Sequence, residues 1–240
     1  MFLHALDEAE STNDLARSMA LAGAPHGTVV HATRQTKGRG RKQRAWWSPD
    51  RGALLMSVVL RPAGPLARVA ALALEVGVAI AELLAGFGVV AGVKWPNDVY
   101  VGGAKIAGVL CELVEDERGR WSVVVGIGLN CNIPTEMFPL ELQGIATSLL
   151  AEIGGVVDVP DVVGSLASLL LERFARFDRF GLDVDAVNAV SLMRDARVRG
   201  EDGREGTALD VASSGALRVT WDGDAAASEV LAGDIIKLAL

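Results

Sequence analysis

The stretch AGVKWPNDVYVGGAKIAGVLCELVEDERGRWSVVVGIGLN, residues 91–130, decides the fold class. Runs at 91–94, 99–101, 105–115 and 121–128 are short and rich in Val and Ile, with Gly102-Gly103 between two of them. Such runs read as strands, and the glycine pair reads as a hairpin turn. Consecutive hairpins make a meander, which predicts a mixed or antiparallel sheet.

Upstream, residues 2–7 read as a strand, and Ser11-Thr12-Asn13-Asp14 supplies N-cap side chains for a short Ala/Leu-rich helix that stops at Gly23. Residues 28–32 are strand-like, and 54–60 form an apolar run between Gly52 and Pro62 that reads as a buried strand. Residues 66–87 predict a long helix. Its Arg68, Glu75 and Glu82 argue against a membrane span, because each is costly near a bilayer centre. Downstream, helices are expected over 146–153, 160–180 and 184–192. In the second, Val163, Leu166, Leu169, Leu170, Phe174 and Phe177 recur at helical spacing and mark its inward face. After Met193 come five short β-like runs, at 196–199, 206–211, 216–220, 226–231 and 235–238, which predict a small barrel. A domain boundary near 193 follows, with no linker between the parts, so the two are expected to pack together.

The chain has 240 residues, half of them hydrophobic, with 23 Lys and Arg against 30 Asp and Glu. That composition marks a folded globular protein, and a net charge of −7 opposes general attraction to nucleic acid or anionic membrane. Against it stand six bases, Arg34, Lys37, Arg39, Arg41, Lys42 and Arg44, with no acid among residues 34–44. The two cysteines, Cys111 and Cys131, cannot form a framework of bridges, and residues 1–10 do not resemble a secretion signal, so a reducing cytoplasm is expected. His4, His26 and His31 show no zinc-like spacing with the cysteines, and no residue is assigned to a metal.

The chemistry is carried by four motifs. In Gln35-Thr36-Lys37-Gly38-Arg39-Gly40-Arg41-Lys42, glycines let backbone amides approach a phosphate while guanidinium forks surround it. It is neither a P-loop nor a dinucleotide fingerprint, and by itself it reads equally well as a solvated basic loop. Lys94-Trp95-Pro96-Asn97-Asp98 presents a lysine, an amide and a carboxylate at a strand end, although Asn97 and Asp98 can serve a turn merely by capping their own backbone. Lys105 opens the strand that holds Ile106-Ala107-Gly108, a place where a lone lysine is usually an edge charge. Gly126-Ile127-Gly128-Leu129-Asn130 ends an apolar strand in small residues and an amide, which suits either a planar ligand or a plain glycine turn.

Taken in order, Ser11-Thr12-Asn13, the Gly38-Arg39-Gly40-Arg41 loop, Lys94 to Asp98, Lys105 to Gly108 and Gly126 to Asn130 resemble the motif series of the biotin protein ligases across residues 1–190. Gly215-Ala216-Leu217 and Leu231-Ala232-Gly233-Asp234-Ile235 resemble that family's small C-terminal barrel. The resemblance implies an α+β fold. Its parts are a mixed sheet of the class II aminoacyl-tRNA synthetase type with helices packed on it over residues 1–193, and an SH3-like barrel over 194–240. It implies an ATP-dependent ligase that forms biotinyl-5′-AMP, with Mg²⁺ accompanying ATP, and passes biotin to a lysine of a biotin carboxyl carrier domain of an acyl-CoA carboxylase. Carried over residue by residue, Ser11, Thr12, Asn13, Gln35, Gly38, Arg39, Lys105 and Gly108 are the biotin site. Arg41, Arg44, Trp46, Asn97, Asp98, Gly126 and Asn130 are the ATP and adenylate site, and Arg39, Arg41 and Lys105 are the catalytic cations.

Two positions depart from the family pattern: Gln43 stands where a glycine is usual and Lys37 where a small residue is common. A DNA-binding domain, which some members carry, is not expected from the ten residues before Ser11. The resemblance leaves monomer and homodimer both open. The competing readings are a lipoate ligase of related fold and a non-catalytic binder of biotin or adenylate. The glycine-bearing basic loop is expected to be mobile when empty and to order over an anionic intermediate.

Overall fold

β-Branched runs alternate with turns to give seven strands in one sheet: β1 (Phe2–Ala9), β2 (Thr28–Gln35), β3 (Ala53–Leu60), β4 (Gly92–Lys94), β5 (Asp98–Val101), β6 (Ala104–Glu115) and β7 (Trp121–Asn130). In the computed structural model, which describes residues 1–231, 233 and 235–238, their order is β1-β2-β3-β7-β6-β5-β4. Only β1 and β2 pair in parallel; every other neighbour is antiparallel, so the sheet is mixed, as the meander predicts.

Among the described residues five α-helices accompany it: α1 (Thr12–Leu21), α2 (Leu72–Ala85), α3 (Leu149–Ile153), α4 (Val159–Phe180) and α5 (Val184–Ala189). Strand alternation divides the sheet's two faces. Val123, Val125, Ile127 and Leu129 of β7 join the large core under α2 and α4, whereas Val124 joins Ala16 and Ala20 of α1 on the other face. Gly126 and Gly128 share that second face with Val124, and beyond the N-terminus of α1 it is left open. On α4, Val163, Leu166, Leu170, Phe174 and Phe177 are buried as expected, while Leu169 is only half-buried. The charges on α2 are paired rather than free: buried Glu75 accepts from Arg173 of α4 (2.8 Å) and from the Asp183 backbone (2.7 Å).

Three expected helices are shorter than their apolar patterns. Residues 66–71 form a 3₁₀ turn before α2, with no side chain capping the turn. Residues 145–147 are held extended by Lys105, whose N–H donates to Ile145 and whose carbonyl accepts from Thr147, so α3 starts only after the Ser148 cap. Residues 190–192 likewise run beside β4, exchanging backbone hydrogen bonds with Val93, which ends α5 at Ala189. The basic loop, expected to be irregular, contains a 3₁₀ turn at Arg41–Gln43.

A second sheet holds β8 (Arg197–Arg199), β9 (Glu205–Val211), β10 (Leu217–Trp221), β11 (Ser228–Val230) and β12 (Ile236–Lys237) in the order β11-β10-β9-β8-β12, all antiparallel. The five expected strands are present, but among the described residues β11 and β12 do not pair, so the expected barrel is an open sheet here. Ala232 and Asp234 of the C-terminal motif lie outside the described residues. Val198, Val219 and Trp221 share a core with Leu74 and Val78 of α2 and with Val93 and Trp95, so the two sheets are packed together. Among the described residues no helix is long and apolar enough to cross a membrane.

Candidate active site

The open sheet face beyond α1 becomes a cavity of about 460 Å³ once the basic loop folds over it. One end is polar. Ser11 caps α1, and the Thr12 N–H and hydroxyl both reach Gln35 Oε1 at the end of β2, at 2.7 and 3.0 Å. Asn13 lies against β7 so closely that a Cβ on Gly126 would come within 2.0 Å of its Oδ1. That contact gives Gly126 a steric reason to be glycine.

The floor is a pair of glycines. Gly108 of β6 and Gly128 of β7 are direct cross-strand partners, and the Trp46 indole lies on both. A Cβ at Gly128 would stand 2.4 Å from Trp46 Cε2, and one at Gly108 2.9 Å from Cζ3. Lys105 Nζ sits 5.4 Å from the Trp46 ring centroid, within cation–π range. The Trp46 Nε1–H is buried with no acceptor among the described residues, a donor a bound ligand can satisfy.

The cations differ in their partners. Arg39 pairs with Asp14 (2.6 Å) and Lys105 with Asp98 (2.6 Å). Arg41 contacts the Asn97 amide oxygen at 3.4 Å and makes no carboxylate pair among the described residues. Asn97 is held in turn by its Nδ2, which donates to the Val109 carbonyl (2.7 Å), so the strand-end motif orients a loop cation as well as capping its turn.

Of the residues singled out from the sequence, Ser11, Thr12, Asn13, Gln35, Arg39, Arg41, Arg44, Trp46, Asn97, Asp98, Lys105, Gly108 and Gly126 line this one cavity. Gly38 and Asn130 do not. Gly38 instead receives the Trp46 N–H on its carbonyl and has the Trp46 carbonyl 2.7 Å from where its Cβ would be, so it shapes the loop rather than the wall. Asn130 is buried, and its amide donates to the Thr147 carbonyl (2.9 Å), which directs it into the protein. Lys94, Leu110, Ile127 and Gly128 also line the cavity. Lys94 belongs to a motif already quoted, and the period of two that puts Gly128 beside Gly126 was available in the sequence. Ser57, a lone hydroxyl in an otherwise apolar β3, sits buried behind the polar end. Ile235 and Ile236 reach the rim beside the second sheet; the sequence marks them only as part of the C-terminal motif and strand, not as cavity residues.

A profile described as the biotin/lipoate A/B protein ligase family matches residues 6–130, half of the chain. The chain belongs to that family. It is 35% identical over 243 residues to the biotin–[acetyl-CoA-carboxylase] ligase of Mycobacterium tuberculosis, covering 95% of this chain and 86% of that one. It is 36% identical over 176 residues to the bifunctional ligase/repressor BirA of Bacillus subtilis, covering 73% of this chain. It spans about half the length of the BirA proteins it matches first. Among solved structures, the biotin protein ligase of Aquifex aeolicus superposes with a TM-score of 0.83 at 25% identity over 99% of both chains. A second structure of that protein, in complex with biotin and ATP, gives 0.81 at 28% identity over 98% of this chain and 97% of that one.

Proposed function

We propose that the protein is an ATP-dependent biotin protein ligase. It activates biotin as biotinyl-5′-AMP, then transfers it to a lysine of a biotin carboxyl carrier domain of an acyl-CoA carboxylase, in the cytoplasm. One observation carries the reading: a hydrogen-bonding end built from Thr12 and Gln35 shares a single cavity with Arg39, Arg41 and Lys105. The relatives' names and the biotin- and ATP-bound neighbour support biotin as the acid.

In this reading Ser11, Thr12, Asn13 and Gln35 take the ureido ring, whose N–H and C=O groups need both donors and acceptors. Gly108 leaves room for the bicycle, and Gly38 holds the loop that closes on it. The carboxylate of biotin then attacks the α-phosphorus of ATP, the bond to the β-phosphate oxygen breaks, and pyrophosphate leaves. Two anions must meet in this step, so Arg39, Arg41 and Lys105 act by offsetting their repulsion and by stabilising charge that grows in the transition state. Arg39 and Lys105 must first leave Asp14 and Asp98. All four side chains are partly exposed, so each pair is worth under about 1 kcal/mol and gives way to a phosphate.

Arg44, Trp46, Asn97 and Asp98 bound the adenylate, with Asn130 acting from behind through Thr147, while Gly126, named for the adenylate from the resemblance, lies under Asn13 at the polar end. Among the described residues no group of three or more His, Cys, Asp or Glu side chains is placed to hold a metal ion, and in this reading magnesium comes with the phosphates of ATP. Magnesium supplies charge neutralisation on those phosphates when bound. In the second step the carrier amine attacks the acyl carbon of the mixed anhydride and AMP leaves. Residues 1–193 form the catalytic part in this reading, and 194–240 an SH3-like part packed against it.

The test is exchange of labelled pyrophosphate into ATP with Mg²⁺, run with biotin and in parallel with lipoate. Exchange with biotin alone is expected. Exchange with lipoate alone would make the protein a lipoate ligase, and exchange with neither in a sample that binds biotin would make it a non-catalytic binder.

A further inference from the structure

Behind the polar end of the cavity runs a chain of hydrogen bonds that ends on a carboxylate outside the pocket wall. The Ser57 hydroxyl, fully buried on β3, donates to Asn13 Oδ1 (2.6 Å) and lies 2.8 Å from the Thr12 hydroxyl, which itself contacts Gln35. The other side of the Asn13 amide donates from Nδ2 to Glu112 Oε2 at 2.7 Å. The second oxygen of the same carboxylate, Oε1, is 3.9 Å from Arg39 Nη2, the guanidinium already bound to Asp14.

We infer that Glu112 is a positioning residue of the biotin site, fixing the Asn13 amide and, through it, the Thr12–Gln35 hydrogen-bonding end, while its second oxygen biases Arg39. The inference rests on the proposed function and names a residue that this reading leaves without a role. An asparagine amide has two nearly isosteric orientations, and only its partners decide which edge faces a ligand. Here both partners agree. A hydroxyl donor meets the oxygen and a charged acceptor meets the nitrogen, and the β7 backbone at Gly126 leaves the amide no room to retreat. Ser57 can donate or accept, so it does not choose by itself. A carboxylate can only accept, so Glu112 sets the orientation.

Glu112 sits on β6 with its side chain 28% exposed, so its replacement leaves no large cavity. The experiment measures KM for biotin and for ATP in pyrophosphate exchange, with melting temperatures alongside, for the parent, Glu112→Ala, Glu112→Gln, Asn13→Ala and the double variant. Glu112→Ala is expected to raise the biotin KM about tenfold, the order of losing one charged hydrogen bond, with the ATP KM within about twofold of the parent. Glu112→Gln keeps an oxygen that can accept from Asn13 Nδ2 but loses the charge and the acceptor-only character, and is expected to recover the biotin KM in part. In the Asn13→Ala background Glu112→Ala is expected to add little, because the two act as one unit. An unchanged biotin KM in Glu112→Ala, a Glu112→Gln variant no better than Glu112→Ala, or additive effects in the double variant would each overturn the inference while parent exchange stands. A parent that shows no exchange with biotin overturns the functional reading first, and the inference with it.

Discussion

Arg41 differs from Arg39 and Lys105 in its environment, because its contact is the Asn97 amide and not a carboxylate. It can therefore meet an incoming phosphate without first breaking an ion pair. Arg41→Ala is expected to cost about 2–4 kcal/mol of transition-state stabilisation, a 10²- to 10³-fold fall in biotin-dependent exchange. Parent-like exchange rates would mean that the loop does not touch the reacting phosphates. Trp46 poses a different question at the same scale. Its indole covers the Gly108 and Gly128 pair, and the methyl of Gly128→Ala would overlap ring atoms that have no slack against the sheet. The indole must move out, so acrylamide quenching of tryptophan emission should rise and the KM for ATP should increase. Quenching and KM both equal to the parent's would show that the ring does not need the glycine floor.

At the scale of elements, the basic loop is less positive than its sequence looks. Arg34 pairs with Glu8 and Asp50, Lys37 with Glu10, Arg39 with Asp14, and Lys42 with Glu201 of the second sheet. These acids come from β1, α1 and distant turns, which is why a window of residues 34–44 shows none of them. The pairs are mostly exposed and individually weak, so the loop is held by a salt-sensitive fringe that a polyphosphate outcompetes. Trypsin cleavage within residues 36–45 is expected to slow when biotin and ATP are added together, and equal rates would remove the closing role of the loop. Lys42 and Gln43 both take positive φ, 54° and 59°. The glycine usual at Gln43 thus has a conformational explanation, and this chain accepts some strain there.

β2 sets a pH limit. His31, whose Nδ1 donates to the Leu55 carbonyl (3.1 Å), is held below the ordinary imidazole range because burial penalises its cation, an effect that the hydrogen bond only partly opposes. His26 is lowered mainly by burial as well, with Asp178 pulling the other way. The unfolded chain binds protons on these rings before the native one does. Their contribution is therefore complete above about pH 6.5 and is lost as pH falls toward the depressed native values. The melting temperature should drop between pH 7.5 and 5.5, and less so in His31→Gln; an identical drop in both would locate the effect elsewhere.

Across the whole molecule, the second sheet is tied to the first at the turn between β4 and β5, where the Lys94 to Asp98 motif lies. Trp95 is buried in the shared core and its Nε1–H donates to the Gly215 carbonyl at 3.0 Å, while Ile235 and Ile236 reach the rim of the cavity. Trp95→Phe removes that hydrogen bond and some packing. A loss of about 2 kcal/mol and a fall of about 4–8 °C in melting temperature is expected, together with a raised KM for ATP, since residues 97 and 98 follow directly. A variant that melts early but keeps every KM would limit the second sheet to a stabilising role.

The strands of residues 91–130 and the inward face of α4 are written in local pattern, because strand and helix periodicity and turn glycines act over a few residues, whereas the thirteen residues that meet in one cavity were legible only through the ordered motifs and their resemblance to a family. The sequence could not determine which motif residues turn away. Asn130 closes the same strand, β7, that carries Gly126, and only the approach of Thr147 directs its amide inward. Nor could local pattern show that 146–147 and 190–192 leave their helices, since the competing partners, Lys105 and Val93, lie 40 or more residues away in sequence. The same holds for the acids that neutralise the basic loop and for Glu112 beside Asn13. Short-range pattern is written along the chain, but charge compensation, amide orientation and the walls of a cavity belong to contacts that exist only after the chain has folded.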